Sequence, residues 1–342
     1  MSEAGAAAAA PAARLRRPRV GFLGVGWIGR HRMEAMLATG AVEAAAFADP
    51  SAEMAQAALA LAPDAEAVGG LEDLLALDLD GVVIATPSAL HAEQSIAALS
   101  RGVAVFCQKP LGRTAAETRA VVEAARAADR LLAVDLSYRF TAGMRAIREL
   151  AASGGLGRPF ALDLVFHNAY GPDKPWFYDP ALSGGGCVMD LGVHLVDLAL
   201  WALDFPRVDE VSAVLMAGGE PLAARPDRVE DYAVATLRLA TGAVVRLACS
   251  WRLQAGCDAE ISASIYGTEG GAGFRNVGGS FYDFTAERFR GTSREVLAVP
   301  PDDWGGRAAA DWARRLAAGQ RFDPAAERLV EVARVLDRIY GR

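Results

Sequence analysis

The chain has 342 residues, which is too long for one ordinary hydrophobic core and favours two domains. With 52% hydrophobic and 23% charged residues it has the composition of a globular protein, and a formal net charge of -7 disfavours non-specific binding to nucleic acid. The apolar runs are interrupted before they reach the length of a membrane span, and the four scattered cysteines form no CxxC pair, so we expect a cytoplasmic protein with no metal site.

The N-terminal half alternates short apolar runs with helical periods. Residues 1–18 are alanine-rich and carry their positive charge after the small residues, the reverse of a secretory signal, so we expect a disordered tail. Residues 19–140 predict an α/β domain with a doubly wound parallel sheet. Its predicted strands are 20–23, 44–48, 82–85, 103–107 and 131–135, and its predicted helices are 27–38, 51–61 (with Ser51 as N-cap), 90–99 and 115–128.

The second half, residues 141–342, has long β-rich runs that predict an antiparallel sheet. Thr241 and Gly242 separate two of these runs and indicate a hairpin turn. Predicted helices are 188–203, 308–316 and 325–339, of which the C-terminal two are able to pack back on the first domain.

A glycine motif follows the first strand and opens the first helix. It reads Gly24-x-Gly26-x-x-Gly29, and Asp49 ends the second strand 20 positions later. This combination is the dinucleotide-binding signature, in which the glycines allow a tight turn, a close approach to the pyrophosphate and close helix packing. Asp49 would accept hydrogen bonds from the adenosine ribose and would repel a 2′-phosphate, which favours NAD over NADP. The alternative is a glycine-rich turn beside a surface aspartate.

Lysine is rare in this chain, which contains only Lys109 and Lys174. Lys109 follows a predicted strand at the carboxyl edge of the sheet, where ligands bind, and Pro110 keeps it out of the helical region. Because the chain otherwise uses arginine, a lysine here indicates a need for a compact ammonium or a transferable proton. A surface loop lysine is the alternative, and it is the favoured interpretation for Lys174.

Asp190, His194 and Asp197 are spaced i, i+4 and i+7, which predicts one face of a helix that begins after the glycines at 184–186. An Asp, a His and a Lys beside a nicotinamide would suit proton transfer coupled to hydride transfer. A metal site lacks further ligands, and for the helix in isolation a core histidine is the simpler interpretation.

Taken together, the segments "GFLGVGWIGRH", "ATPSALHAE", "CQKP", "YRF" and "WFYDPALSGGGCVMDLGVHLVDL" occur in the order of a known family. From residue 19 to the C-terminus the chain resembles the Gfo/Idh/MocA oxidoreductases, the glucose–fructose oxidoreductase and inositol dehydrogenase family. The resemblance implies a Rossmann domain, then an open antiparallel sheet domain with helices on one face, and an active site between them. It also implies a homodimer or homotetramer.

The resemblance implies a catalytic set of Lys109, Asp190 and His194. His194 would exchange a proton with the reacting oxygen, Lys109 would hold that oxygen and the nicotinamide ribose, and Asp190 would orient them. Trp176 matches an aromatic residue that lines the substrate pocket with these three. The implied cofactor-binding residues are Gly24, Gly26, Trp27, Ile28, Gly29, Asp49, Thr86, Pro87, His91, Gln108, Lys109 and Arg139. One departure matters, because the family usually has Glu-Lys-Pro where this chain has Gln108; a glutamine can still hydrogen-bond the cofactor ribose.

These features imply an NAD(P)-dependent oxidoreductase that interconverts a secondary alcohol and a ketone on a cyclic polyol, sugar or amino sugar. Two alternatives stay open, a non-catalytic NAD-bound regulator and an enzyme that cleaves a glycosidic bond by oxidation and elimination. We expect no nucleic-acid or membrane partner.

Overall fold

The computed structural model describes residues 16–224 and 227–342. Of the predicted disordered tail, residues 1–15 lie outside this part. Arg16, at its start, forms an ion pair with Asp80, with Nη1 3.0 Å from Oδ2.

The first half folds into a six-stranded parallel sheet with the strand order β3-β2-β1-β4-β5-β6. Its strands are β1 (Arg19–Leu23), β2 (Glu43–Ala48), β3 (Glu66–Ala67), β4 (Gly81–Ile84), β5 (Ala104–Cys107) and β6 (Leu132–Val134). Its helices are α1 (Trp27–Leu37), α2 (Ala52–Leu61), α3 (Leu71–Ala76), α4 (Ser88–Ser100) and α5 (Ala115–Ala128). The sequence predicted all of these except the short β3 and α3, and the α/β fold class is confirmed.

Successive side chains of each strand point to opposite faces of this sheet, and both faces are covered by a hydrophobic core. In β4, Val82 and Ile84 belong to one core and Val83 to the other. Two helices begin at side-chain caps, because Ser51 accepts a hydrogen bond from the backbone N–H of Met54 and Thr114 accepts one from that of Glu117. These caps fix where α2 and α5 start.

The second half folds into a nine-stranded sheet with the order β15-β14-β13-β12-β7-β11-β10-β8-β9. Its strands are β7 (Pro159–Asn168), β8 (Val208–Ala217), β9 (Glu220–Pro221), β10 (Tyr232–Leu239), β11 (Val244–Ser250), β12 (Ala259–Gly267), β13 (Gly271–Asn276), β14 (Phe284–Arg290) and β15 (Ser293–Ala298). Seven of the eight neighbouring pairs are antiparallel. The pair β7 and β11 is parallel, which the prediction of an antiparallel sheet did not foresee.

Helices cover one face of this second sheet. They are α6 (Ala142–Ala152), α8 (Val193–Ala202) and α10 (Arg328–Ile339), and the four-residue α7 (Pro180–Ser183) precedes α8 in the chain. Helix α6 was not predicted from the sequence. The buried side chains of the strands, including Leu164 and Leu247, pack against these helices in the largest core of the molecule.

The helical stretch Pro180–Ala202 is long and apolar enough to cross a membrane, contrary to what the interrupted runs suggested. However, 94% of its most apolar window is buried inside the protein. Its apolar character is therefore accounted for by the core of the second domain.

Helix α9 (Arg307–Ala317), the first of the two C-terminal helices, packs against the first domain. Trp312 is fully buried there, with its ring centroid 5.9 Å from that of Phe106. A Cβ added at Gly81 would lie 2.6 Å from the Trp312 ring, so a glycine is needed where β4 passes under it. Helix α10 contacts both α5 of the first domain and α8 of the second. The two C-terminal helices thus tie the two halves together.

Candidate active site

A cleft of about 950 Å³ is lined by residues of both halves, where the carboxyl ends of the parallel strands face the second sheet. Twelve of the residues predicted for the site line it, namely Gly26, Trp27, Ile28, Asp49, Thr86, Pro87, His91, Gln108, Lys109, Trp176, Asp190 and His194. Gly24, Gly29 and Arg139 are not among its lining residues.

The glycine motif has the geometry that its spacing predicts. Gly24 has φ of +83°, and a Cβ there would lie 2.6 Å from the carbonyl oxygen of Ala85. A Cβ at Gly29 would lie 2.0 Å from the carbonyl oxygen of Gly24. Only a glycine at position 29 therefore lets the helix pack this closely against the turn. Gly26 has open space around it, and no side chain caps the α1 N-terminus that it begins. The loop therefore offers free backbone N–H groups and the room that a pyrophosphate requires.

Asp49 joins the two loops at the adenosine end of the cleft. Its Oδ2 accepts a hydrogen bond from the N–H of Val25 at 2.8 Å, and its Oδ1 accepts one from the N–H of Ser51 at 2.9 Å. Each carboxylate oxygen can accept a further hydrogen bond. The position at the end of β2 is the one that the dinucleotide signature assigns to the ribose.

His91 lies between two loops on the cofactor side. Its Nδ1 is 2.6 Å from the carbonyl oxygen of Pro110 and its Nε2 is 2.7 Å from that of Thr86. Burial lowers the pKa of His91 and the nearby Lys109 charge adds to this, whereas the hydrogen bonds to the carbonyls of Pro110 and Thr86 oppose it. His91 thus braces the turns after β4 and β5.

Lys109 bonds directly to the second domain. Its ammonium donates to Oδ1 of Asp190 at 2.6 Å and to the carbonyl oxygen of Asp190 at 2.7 Å. Both side chains keep a small exposed fraction, 20% for Lys109 and 16% for Asp190. The remaining N–H of the ammonium is therefore available to a ligand in the cleft.

Two further residues hold Asp190, and neither role was predicted from the sequence. The indole N–H of Trp251 donates to Oδ2 of Asp190 at 3.1 Å. Oε1 of the buried Glu230 accepts hydrogen bonds from the backbone N–H groups of Gly186 and Val188, which precede Asp190, and from the hydroxyl of Tyr340. The only signals in the sequence were the position of Trp251 directly after one strand-like run and that of Glu230 shortly before another.

His194 lies one turn after Asp190 and lines the same cleft. The ring of Tyr138 packs edge-on against it, with centroids 4.9 Å apart. Burial is the main cause that lowers the pKa of His194 well below 6.5, and the charges of Lys109 and Arg32 add to it. No hydrogen bond from a protein atom to the His194 ring occurs within residues 16–224 and 227–342. A neutral imidazole therefore faces the cleft, able to accept a proton.

Asp197 and Arg139 form a separate buried pair, which corrects two predictions. Arg139 donates from Nε to Oδ2 of Asp197 at 2.7 Å and from Nη2 to Oδ1, so it does not face the cofactor cleft. Asp197 does not line the cleft with Asp190 and His194, although it lies only three residues after His194 in α8. Its carboxylate is buried against Arg139 instead.

Gln108 belongs to a buried polar cluster that the sequence did not reveal. Its amide Nε2 donates to Oδ2 of Asp135 at 2.7 Å, and the same oxygen accepts from Nε of Arg32 at 2.5 Å. Arg32 lies on the buried face of α1 with Met33 and Met36. A charged residue at an otherwise apolar helix position was the one available signal.

The second domain lines the other wall of the cleft mainly with aromatic rings. Trp176 and Phe177 stack with their centroids 3.8 Å apart, and Tyr282 and Trp304 also line the cleft. Lys174 lies at the edge of the cleft, mostly exposed and 3.1 Å from the carboxylate of Asp173. This wall suits the apolar C–H face of a ring-shaped ligand.

Comparisons with known proteins agree with this geometry. The family model described as "Oxidoreductase family, NAD-binding Rossmann fold" matches residues 18–136, and the "GFO/IDH/MocA C-terminal domain" matches residues 144–272. The chain is 32% identical to 1,5-anhydro-D-fructose reductase of Ensifer adhaerens over 263 residues, which cover 76% of each protein.

A second relative and one solved structure extend this similarity along most of the chain. Inositol 2-dehydrogenase 4 of Saccharopolyspora erythraea is 29% identical over 326 residues, covering 93% of this chain and 86% of the relative. The structure of levoglucosan dehydrogenase in complex with NADH superposes with a TM-score of 0.81 at 22% identity, over 95% of this chain and 96% of that one, which shows a common fold.

Proposed function

We propose a function on the premise that this chain belongs to the Gfo/Idh/MocA family of oxidoreductases, as the resemblance of its motifs implied. The protein is an NAD(P)-dependent oxidoreductase that interconverts a secondary alcohol and a ketone on a cyclic polyol or sugar. The observation that carries this conclusion is the convergence of Lys109, Asp190 and neutral His194 in the cleft beside the glycine loop.

The residues of the chain divide the chemistry as follows. NAD(P), which the glycine loop and Asp49 would hold, would supply the hydride chemistry at the carbon that bears the oxygen. The neutral ring of His194 accepts the hydroxyl proton in the oxidation direction and returns it in the reduction direction. Lys109, fixed by two hydrogen bonds to Asp190, keeps one N–H with which to hold the reacting oxygen. In the oxidation direction the alcohol would lose a hydride to the oxidised cofactor and a proton to His194, which balances the formation of the ketone.

We further propose NAD as the preferred cofactor. A carboxylate at position 49, anchored by two backbone N–H groups, lies where a 2′-phosphate would have to bind. The Asp49 carboxylate would repel a 2′-phosphate bound beside it, because both groups are negatively charged. The fit of NAD is supported by the open space at Gly26 and the uncapped N-terminus of α1.

A homodimer or homotetramer is also proposed, formed through the uncovered face of the nine-stranded sheet. Val214, Val244, Tyr266 and Val296 point away from the helices and are between 37% and 61% exposed. Apolar side chains on an uncovered sheet face are a common basis for association. Size-exclusion chromatography with light scattering tests this, and a monomer at micromolar concentration would contradict it.

The scattered cysteines support a cytoplasmic location, which is likewise a proposal. All four are free thiols, and the sulfurs of Cys187 and Cys249 lie 3.8 Å apart. Cell fractionation of the tagged full-length chain tests this location.

The central experiment compares wild type with Lys109→Arg, using NADH formation from a panel of inositols, sugars and amino sugars. Arginine keeps the charge but cannot reproduce two hydrogen bonds from one compact ammonium to Asp190. We expect NADH binding to be retained within a few-fold and turnover to fall roughly a hundredfold or more. A fully active Lys109→Arg protein would contradict the assignment of Lys109. Wild type that binds NADH but oxidises nothing would favour a regulator, and sugar cleavage without net NADH would favour elimination chemistry.

A further inference from the structure

Three polar side chains are buried together at the floor of the cleft next to Lys109. Arg32, Gln108 and Asp135 are 6%, 7% and 1% exposed, and all three line the cleft. They come from α1, from the turn after β5 and from the turn after β6, so the sheet edge itself brings them together. None of the proton-transfer steps above uses this cluster.

The contacts of Asp135 determine how the Gln108 amide is turned. Oδ2 of Asp135 accepts from Nε of Arg32 at 2.5 Å and from Nε2 of Gln108 at 2.7 Å. A carboxylate paired with a guanidinium has no proton to donate, so only the NH₂ end of the amide can face it. The amide oxygen Oε1 must then point the other way.

The amide oxygen of Gln108 is left as an available acceptor. No protein atom in residues 16–224 and 227–342 donates a hydrogen bond to it, and it is not among the buried polar atoms that lack a partner in that part of the chain. It is therefore accessible from the cleft, one residue before Lys109 and hence at the nicotinamide half of the site.

We propose that Asp135, held by Arg32, is a positioning residue that orients Gln108 so that its Oε1 accepts a hydrogen bond from a hydroxyl of the nicotinamide-side ribose. This inference rests on the proposed function, since it requires NAD(P) in the cleft. It gives the chain the acceptor that a glutamate would supply at position 108, without adding a negative charge to a floor that already holds Asp135.

Two variants at position 108 test the contact. Gln108→Leu removes the acceptor and leaves the pair of Arg32 and Asp135 intact, so affinity for NADH and for ADP-ribose falls roughly three- to tenfold. Affinity for ADP, which lacks the second ribose, stays within twofold. Loss of NADH affinity with unchanged ADP-ribose affinity would show that the ribose is not the partner and would overturn the proposal.

The positioning role of Asp135 is tested by the effect of Gln108→Glu on NADH affinity, which should have opposite signs in two backgrounds. Gln108→Glu in the wild-type background places two carboxylates within hydrogen-bonding distance, so NADH and ADP-ribose bind more weakly. In the background Arg32→Met/Asp135→Leu, both buried charges are gone and the glutamine amide is no longer oriented. There Gln108→Glu improves binding, because its two oxygens are equivalent acceptors in either rotation. The same sign in both backgrounds would overturn the proposal.

Thermal unfolding shows whether the Arg32→Met/Asp135→Leu protein folds, and a second measurement does not depend on it. In Gln108→Glu alone, a shared proton relieves the repulsion from Asp135, so NADH affinity rises several-fold from pH 8 to pH 6 while that of wild type does not. A flat profile in the variant would contradict the proposal. Wild type that binds neither NADH nor ADP-ribose would instead refute the proposed function itself.

Discussion

The buried pair of Arg139 and Asp197 can be tested sharply, because the family resemblance implied that Arg139 binds the cofactor. We consider Arg139→Met, which keeps an unbranched side chain over the rings of Trp201 and Phe205 and removes the charge. The variant leaves the Asp197 carboxylate, whose side chain is 2% exposed, without a cationic partner. Its effect is therefore expected on stability and not on cofactor binding.

The magnitude follows from burial and geometry. Breaking one partner of a buried, doubly hydrogen-bonded pair costs about 3–5 kcal/mol in the free energy of unfolding. Arg148 provides a matched control, because its guanidinium also lies over the Trp201 ring but pairs with Asp204 at 3.7 Å, with 37% and 87% of the two side chains exposed. Arg148→Met should cost about 0–1 kcal/mol.

Urea unfolding followed by tryptophan fluorescence and circular dichroism measures both variants. With a slope near 3 kcal/mol per molar urea, the midpoint for Arg139→Met falls by about 1–1.7 M. The affinity for NADH is measured in parallel by titration and should stay within twofold of wild type. Equal midpoints for the two variants would refute the argument, and a lost NADH affinity at unchanged stability would restore the sequence prediction.

The same variant has a pH dependence of defined sign. Burial raises the pKa of Asp197 above its usual value of 3.8, and Arg139 opposes this rise. Without Arg139 the folded-state pKa rises further, so the folded variant holds its proton to higher pH than the unfolded chain does. The stability deficit relative to wild type should therefore be small near pH 4 and grow as pH rises, until the carboxyl ionises in the folded variant. A deficit that grows on acidification would contradict this assignment.

Three further predictions concern the cleft. Because the pKa of His194 lies well below 6.5, the acid limb of kcat/KM for alcohol oxidation should fall well below pH 6.5, and a limb at or above 6.5 would contradict a neutral ring. Asp49→Asn should raise the affinity for NADP relative to NAD roughly tenfold by removing the like charge, and an unchanged ratio from titrations with both cofactors would show that Asp49 does not select between them. Trp251→Phe removes the hydrogen bond to Asp190 and should lower kcat about tenfold with NADH affinity within twofold; unchanged kcat would mean that Asp190 needs no such support.

The Rossmann half was predictable because its signals are local. Strand-to-helix alternation, the glycines at the first turn and a cap such as Ser51 act over a few residues, and each appears in the structure at the expected place. The two-residue β3 and six-residue α3 are too short to show a period. Helix α6 was missed because it lies at the change of texture that the sequence analysis took as a domain boundary.

Site residues with a distinctive residue type or spacing could be predicted from the sequence. The residues that hydrogen-bond to them could not. Lys109 was marked by the scarcity of lysine, and Asp190 and His194 by their spacing. Trp251 lies 61 residues from Asp190, and Asp135 lies 103 from Arg32, so these contacts depend on how sheets and helices pack. The pairing of Asp197 with Arg139, 58 residues away, is likewise a contact that helical spacing does not reveal.

Burial and, after it, the charges at the cleft floor lower the pKa of His194. The two cations that face His194, Lys109 and Arg32, are each paired with a carboxylate, and each lowers the pKa of the ring. Both cations come from the first domain, whereas His194 belongs to a helix of the second. The pH at which His194 takes up a proton therefore depends in part on how the two domains are packed together. If the domains were separated, His194 would lose these two cationic neighbours, its pKa would rise, and the ring would become protonated at a higher pH.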